Sequence, residues 1–346
     1  MEQHAESNQG AASHRFSVAP MMDYTDRHFR VLMRQITRHS LLYTEMVVAQ
    51  ALHYARQESG AERPGGRLER LIGFDPCEAP LALQVGGDDP ELLAEAAQLA
   101  ADWGYSEINL NVGCPSEKVQ KGRFGACLMA DPDQVARCVA AMAAAGPLPV
   151  TVKHRIGIDD RDSYPELLRF VDTLAMAGCR RFSVHARKAW LEGLDPKQNR
   201  TIPPLRYDWV HRLKRERPQL TIELNGGLQT LEQCLEQLQH VDGTMVGRAA
   251  YDHPLQWAQV DRRIHGDAEA PLASAASVVR ALVPYAERWC SRGDRLWPIA
   301  RHLVKVVEGV PGARHWRRDL TVAAGDRSAG PAVLERAAQV LEQAGI

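Results

Sequence analysis

An α/β chain, a (β/α)8 barrel followed by a small all-helical domain, is the fold the sequence predicts. Three observations point to it. Short β-rich runs alternate with amphipathic stretches through the first three-quarters of the 346 residues, about eight units over roughly 240 residues, close to the ~250 of a typical barrel. Met21, Glu45, Gln84, Asn111, Lys153, His185, Asn225 and Arg248 fall at or just beyond the C-terminal ends of successive runs; barrels assemble sites from several strand ends, whereas an open doubly wound sheet concentrates its site at one switch point. The β signal then stops near residue 262.

The runs read in order as RFSVAPM (15–21), LLYTEM (41–46), PLALQVGG (80–87), EINLNVGC (107–114), PVTVKHRIG (149–157), RRFSVHAR (180–187), TIELNGG (221–227) and GTMVGR (243–248). Between them PELLAEAAQLAADWG, DPDQVARCVAAMAAAG, YPELLRFVDTLAMAG and TLEQCLEQLQHV carry apolar residues at i, i+3, i+4 and i+7, the period of a helix with one buried face. Asp131 before Pro132 and Gly146 after the last periodic residue are a helix start and stop. Residues 53–79 form a long polar insertion that reads either as a lid over the barrel mouth or as a plain surface excursion. Beyond 262 come three helical stretches, ASAASVVRALVPYAERWC, RLWPIARHLVKVVEG and GPAVLERAAQVLEQAG. The expected division is a frayed tail over 1–14, a barrel over 15–261 and a helical domain over 262–346.

Composition narrows the class. Hydrophobic residues at 45% and charged residues at 25% are those of an ordinary globular protein. No apolar run is long enough for a membrane span, and the polar N-terminus lacks the features of a secretory signal; a cytoplasmic protein without membrane contact is expected. Seven scattered cysteines without a C-x-x-C pair argue against a disulfide framework or a zinc site. A net charge of −1 argues weakly against nucleic acid, yet between Arg292 and Arg318 there are seven basic and two acidic residues. Arg314, Arg317 and Arg318 there share one helical face, while Trp297 and Trp316 are expected to pack.

Several segments carry chemistry. Asn225-Gly226-Gly227 ends the seventh run and Gly247-Arg248 the eighth, where barrels commonly hold a phosphate on backbone N–H groups; a plain tight turn is the alternative. Lys153 interrupts an apolar run and needs either an acidic partner such as Glu45 or an electron-rich ligand. With Gln84, His185 and Asn225 it would serve a polar, ring-shaped, phosphate-bearing ligand; FMN fits without being singled out. In NLNVGCPSEKVQKGRFGACLM (109–129), Cys114 sits at a strand end before a glycine-punctuated basic loop. As a nucleophile it would need a paired base, whereas as an acid an ordinary thiol is protonated at neutral pH without assistance. Cys127 reads as structural.

The segments RFSVAPMMDYTDRHFR, LLYTEMV, LALQVGG, EINLNVGCPSEKVQKGRFGACLM, TVKHRIGIDD, VHARKAWLEGL, LNGG and MVGRAAY together resemble the tRNA-dihydrouridine synthases, and within them the A subfamily, from about Arg15 to residue 320. The resemblance implies an FMN-binding barrel with a helical tRNA-binding domain, reducing uridines at positions 20 and 20a of the tRNA D-loop to 5,6-dihydrouridine with NADPH as reductant, and a monomer is expected. It places Ala19, Pro20 and Met21 against the flavin ring and Gln84, Lys153 and His185 on its polar edge and ribityl chain. Asn225, Gly226, Gly227, Gly247 and Arg248 would hold its phosphate end. Cys114 matches the family's proton donor, Asn111 a contact to uracil, and Lys197, Arg200, Arg314 and Arg317 match positions that touch tRNA. The competing readings are a flavin enzyme acting on a free pyrimidine, which would need no basic helical appendix, and a non-catalytic tRNA-binding protein.

Overall fold

A computed structural model describes residues 13–58, 63 and 65–346. Its strands are β1 (Phe16–Val18), β2 (Leu41–Tyr43), β3 (Val47–Val48), β4 (Leu81–Gly86), β5 (Glu107–Val112), β6 (Val150–Arg155), β7 (Arg181–His185), β8 (Thr221–Asn225) and β9 (Gly243–Val246). Neighbours pair in parallel from β4 round to β9; β9 pairs with β1, β1 with β2, and β2 with β4, which closes an eight-stranded barrel. The two-residue β3 only edges β4. Every one of the eight expected runs supplies a barrel strand. The runs overshoot their strands because their last residues turn into the site.

Strands such as Leu81–Gly86 and Glu107–Val112 are buried along their whole length, as parallel strands covered on both faces must be. Several of the helices between them start on side-chain caps. Asp89 accepts the Glu91 and Leu92 N–H groups ahead of the helix Pro90–Asp102. Asp131 accepts Gln134 N–H ahead of Pro132–Ala145, which ends at Gly146 and buries Val135, Cys138, Val139 and Met142. These caps satisfy first-turn donors that the helix itself leaves open.

The lower barrel interior is polar and paired. Glu107 bridges Arg181 and accepts from the Tyr43 hydroxyl at 3.1 Å, and Glu223 accepts from Ser17 and Ser183. Residues 1–12 of the expected tail lie outside the described residues, whereas Ser13 is buried. The described residues of the 53–79 insertion match the surface excursion and not the lid. Its described part docks on the helix Arg27–Arg34 through Arg27–Glu69 and the buried pair Arg30–Glu78, and none of its residues lines the cavity described below. The reason is Glu78, fully buried and held by Arg30 at 2.6 Å.

C-terminal to the barrel run the helices Ala275–Ala281, Val283–Cys290, Trp297–Leu303, Ala313–Gly325 and Ala332–Gln343. Trp316 is buried, donating Nε1–H to Ala337 O at 3.0 Å, and Trp297 packs on the same core. The joint with the barrel is polar. Asp26 accepts from Arg301 at 2.5 Å and pairs with His302 at 3.0 Å, His28 meets the Tyr285 hydroxyl at 2.9 Å, and Lys305 reaches Asp252 at 3.2 Å. The expected division at 261 falls within the turn Val260–Arg263, where buried Asp261 accepts from Thr37 and from Arg38 N–H.

Candidate active site

The C-terminal ends of the strands surround a cavity of about 620 Å³, within the size range of small-molecule sites. Ala19, Pro20 and Met21 follow β1, Gln84 sits on β4, Asn111 on β5, Lys153 on β6, His185 on β7, and Asn225, Gly226 and Gly227 end β8; Gly247 and Arg248 follow β9. Strand register sets these neighbours: Asn111 lies opposite Lys153, His185 opposite Asn225, and Asn225 opposite Met245. Glu45 is the exception among the strand-end residues. It does not line the cavity and accepts from the backbone N–H of Asp23, which stands at φ 67°.

Lys153 is therefore not paired with Glu45. Its ammonium donates to Asn225 Oδ1 at 3.1 Å, and Asn225 in turn donates to Met245 O at 2.8 Å. Burial, reinforced by Arg155, lowers the Lys153 pKa to about 8. His185 is driven well below the usual range by burial and by neighbouring cations, so it is neutral, and its buried Nδ1 has no protein partner. Gly226 passes beneath this ring, where an added Cβ would sit 3.2 Å from it. Gly227, at φ 78°, has no space for a side chain, since a Cβ would lie 2.6 Å from Leu205 and 2.9 Å from the Tyr207 hydroxyl. Substitution is disfavoured here on both counts.

Cys114 lines the same cavity, half-buried, with Sγ 3.6 Å from Ser116 Oγ. Its backbone is held on both sides. Asn111 Oδ1 accepts from Gly113 N–H at 3.1 Å and Cys114 N–H at 3.0 Å, and Cys114 O accepts from Ala126 N–H at 2.9 Å. The last contact needs Gly125, where a Cβ would fall 2.6 Å from Cys114 O and 2.4 Å from Val119. Cys127 is turned to Phe124 O, away from the cavity.

Three contributors have no motif of their own. Arg155, buried, donates to Gly113 O, Lys188 O and Asn199 O at 2.8–3.0 Å, fastening the Cys114 strand exit to the loop that carries Lys197 and Arg200. Met22 and Tyr24 form an exposed apolar lip at the mouth, 55% and 41% accessible, with Tyr24 edge-on to Tyr251 at 4.4 Å. Asn109 lies beneath Gln84 and accepts its Nε2–H at 2.8 Å. Arg155 and Asn109 read as strand filler, and an exposed Tyr in a loop is ordinary; only the assembled mouth distinguishes them.

The cavity wall carries Lys118, Lys153, Arg155, Arg200 and Arg248 and, among the described residues, no Asp or Glu. Such a wall selects an anionic ligand. The same cavity is lined by Ala19, Pro20, Met21, Met46 and Phe124, apolar groups suited to a flat ring. An orphaned imidazole nitrogen, a half-buried cation with spare donors, two glycines at close approach and a wall without acids among the described residues fit FMN, with its carbonyl-rich ring and terminal phosphate. Arg200 lines the mouth, and Lys197 is exposed in the same loop.

Arg314 and Arg317 lie on the helix Ala313–Gly325, neither lining the cavity. Arg317 is partly spent within the domain, donating to Val307 O at 2.8 Å, whereas Arg314 is exposed. The local excess of positive charge counted along the sequence is reduced in three dimensions, because Arg301 and Lys305 face the barrel acids Asp26 and Asp252, and Arg318 faces Asp319.

Comparison with known proteins decides the family. The family model described as "Dihydrouridine synthase (Dus)" matches residues 17–343. The chain belongs to the dihydrouridine synthase family. A relative in Synechocystis sp., named tRNA-dihydrouridine(20/20a) synthase, is 56% identical over 330 residues, 95% of each chain. Proteins of the same name in Vibrio cholerae and Escherichia coli O6:H1 are 49% identical over 324 residues (93% of this chain, 95% of the relative) and 48% over 338 (97% and 98%). The A-subfamily resemblance agrees with those names, and the GCPS loop of this family member is the segment that Asn111, Arg155 and Gly125 hold in place.

Proposed function

We propose that the chain reduces uridines of the tRNA D-loop, positions 20 and 20a, to 5,6-dihydrouridine, using bound FMN and NADPH, as a monomer in the cytoplasm. The observation that carries this reading is the cavity wall, with five cations and, among the described residues, no acid, and a half-buried thiol lining it. Ala19, Pro20 and Met21 would lie along the flavin ring, with Gln84, Lys153 and His185 on its polar side. Asn225, Gly226, Gly227, Gly247 and Arg248 would take the phosphate end. When bound, the flavin supplies hydride for C6 of the uracil. Asn111 binds the uracil, and Cys114 donates its proton to C5 of the resulting uracil enolate, which needs no activated thiolate.

A base stacked in folded tRNA cannot reach this depth and must be flipped out, at a cost of a few kcal/mol. Contacts from Lys197, Arg200, Arg314 and Arg317 to the phosphate backbone offset it, in line with a division of the chain near residue 261 into a barrel for chemistry and helices for grip. The purified protein is expected to be yellow, and its NADPH-reduced flavin to be reoxidised by tRNA lacking dihydrouridine. A colourless protein that cannot take up FMN would overturn the reading. Reoxidation by free uracil as fast as by tRNA would favour the free-pyrimidine alternative.

Two further outcomes follow from the electrostatics. FMN affinity of the flavin-free protein should fall as pH rises above about 8, because the Lys153 ammonium, whose pKa is about 8, loses its charge there; Lys153→Met should bind more weakly at pH 7 and show no such fall between pH 7 and 9. Titration by flavin fluorescence measures both. For tRNA binding, Arg314→Ala should lower the slope of log K against log salt by about 1, since Arg314 has no ion-pair partner among the described residues. Arg301→Ala should change it less, because that charge already faces Asp26.

A further inference from the structure

A continuous chain of buried side chains runs from the lower barrel to the backbone of Cys114. Thr151 Oγ1 donates to Glu107 Oε1 at 3.0 Å, Asn109 Nδ2 to Thr151 Oγ1 at 2.9 Å, Gln84 Nε2 to Asn109 Oδ1 at 2.8 Å, and Asn111 Nδ2 to Gln84 Oε1 at 2.9 Å. Asn111 Oδ1 then accepts the Gly113 and Cys114 N–H groups. Register places the links side by side: Gln84 lies opposite Asn109 and Asn109 opposite Thr151. Side-chain amides can point either way, and their orientation is settled by their partners. Here the two ends demand the same direction. Backbone N–H groups can only donate, so Asn111 must turn its oxygen to them and its nitrogen to Gln84. A carboxylate held by Arg181 and Tyr43 can only accept, so Thr151 must donate to it and offer its lone pair to Asn109. Both constraints give one polarity through all three amides.

We propose that Glu107, Thr151 and Asn109 are positioning residues that fix this polarity, so that Gln84 and Asn111 turn N–H donors, not carbonyl oxygens, toward the ring carbonyls of the flavin and the uracil, and so that the Cys114 backbone is held for proton transfer. The proposal rests on the flavin reading given above. None of the three lines the cavity; they act through Gln84 and Asn111. Reversal of the relay would leave a buried N–H facing another N–H at one of its links, an arrangement costlier than a lost hydrogen bond.

Thr151→Val keeps the shape of the side chain while removing the donor to Glu107 and the acceptor for Asn109. Thr151→Ser keeps both. In flavin-free protein, hydrogen–deuterium exchange at Gly113 and Cys114 should be faster in Thr151→Val than in wild type and unchanged in Thr151→Ser. In flavin titrations Thr151→Val should bind FMN about 3- to 10-fold more weakly with displaced visible absorption bands, and Thr151→Ser should match wild type in both. The inference is overturned if Thr151→Val exchanges and binds like wild type, or if Thr151→Ser is as impaired as Thr151→Val, which would mark a packing effect alone. Exchange that follows the relay in a wild-type protein without affinity for FMN would instead remove the flavin reading and leave the relay as the anchor of the Cys114 backbone.

Discussion

Cys114→Ala is expected to lower the rate of dihydrouridine formation by about 10²- to 10⁴-fold, the usual contribution of a positioned general acid, while flavin and tRNA binding stay near wild type. The alanine removes one sulfur from the cavity edge and disturbs little else. The backbone position of residue 114 is set by Asn111 and by the Ala126 N–H, and neither contact involves the thiol. NADPH reduction of the flavin, which needs no proton from this residue, should therefore proceed normally, and the defect should appear only when tRNA is mixed with the reduced enzyme. Cys114→Ser should recover little, since a hydroxyl is a far weaker acid than a thiol. Mass spectrometry of the tRNA product and stopped-flow reoxidation measure the two steps separately, and a fully active alanine variant would remove the assignment. Gly125→Ala provides a second handle on the same geometry. Its Cβ would push on Cys114 O, so this variant should also be slow although its thiol is intact.

Much of this site was legible because barrel strands convert a linear pattern into a ring. Once eight runs are in place, residues at their ends converge whatever lies between them, and Gln84, Asn111, Lys153, His185 and Asn225 could be read together. Glu45 shows the limit of that logic. It also ends a run, but the chain turns at once into β3, and its carboxylate holds the left-handed Asp23 instead of the ligand face. Arg155 escaped notice for a related reason. Two positions beyond Lys153 on the same strand, it reads as one more barrel residue, and its value lies in three carbonyls from distant segments that no local pattern connects. The free charge of the helical domain is hidden from a linear count for the same reason, since the acids that meet Arg301 and Lys305 come from the barrel, some 50 to 275 residues away in sequence.

Acidification is expected to destabilise the fold steeply between about pH 6.5 and 4. Three histidines held neutral by burial drive this: His28, His154 and, at the ligand face, His185. Burial lowers His28 to about 3 and His154 to about 4, against 6.5 for an exposed histidine. Both folded-state values lie below the unfolded one, so the unfolded chain binds more protons throughout that window, and stability that is fully present above pH 6.5 is lost as pH falls. His28 and His154 alone contribute a slope of up to about 2.7 kcal/mol per pH unit, a large share of the 5–15 kcal/mol that holds a domain together. The two sites differ in what they hold. His154 is clamped between Phe170 and Phe182 with Nδ1 on Arg155 O at 2.7 Å, so charging it loosens β6, the strand that carries Lys153 and Arg155. His28 sits at the joint, edge-on to Trp289 and bonded to the Tyr285 hydroxyl, so charging it weakens the attachment of the helices to the barrel. Asp26, held well below the usual carboxylate range by His302 and His28 despite its burial, adds its own loss only below about pH 3.8. Urea midpoints between pH 4 and 7.5 test the assignment. His28→Phe with His154→Phe keeps the ring contacts and removes two of these protons, so its profile should fall clearly less than that of wild type, the remaining fall resting on His185; parallel profiles would show that other groups govern the acid limb.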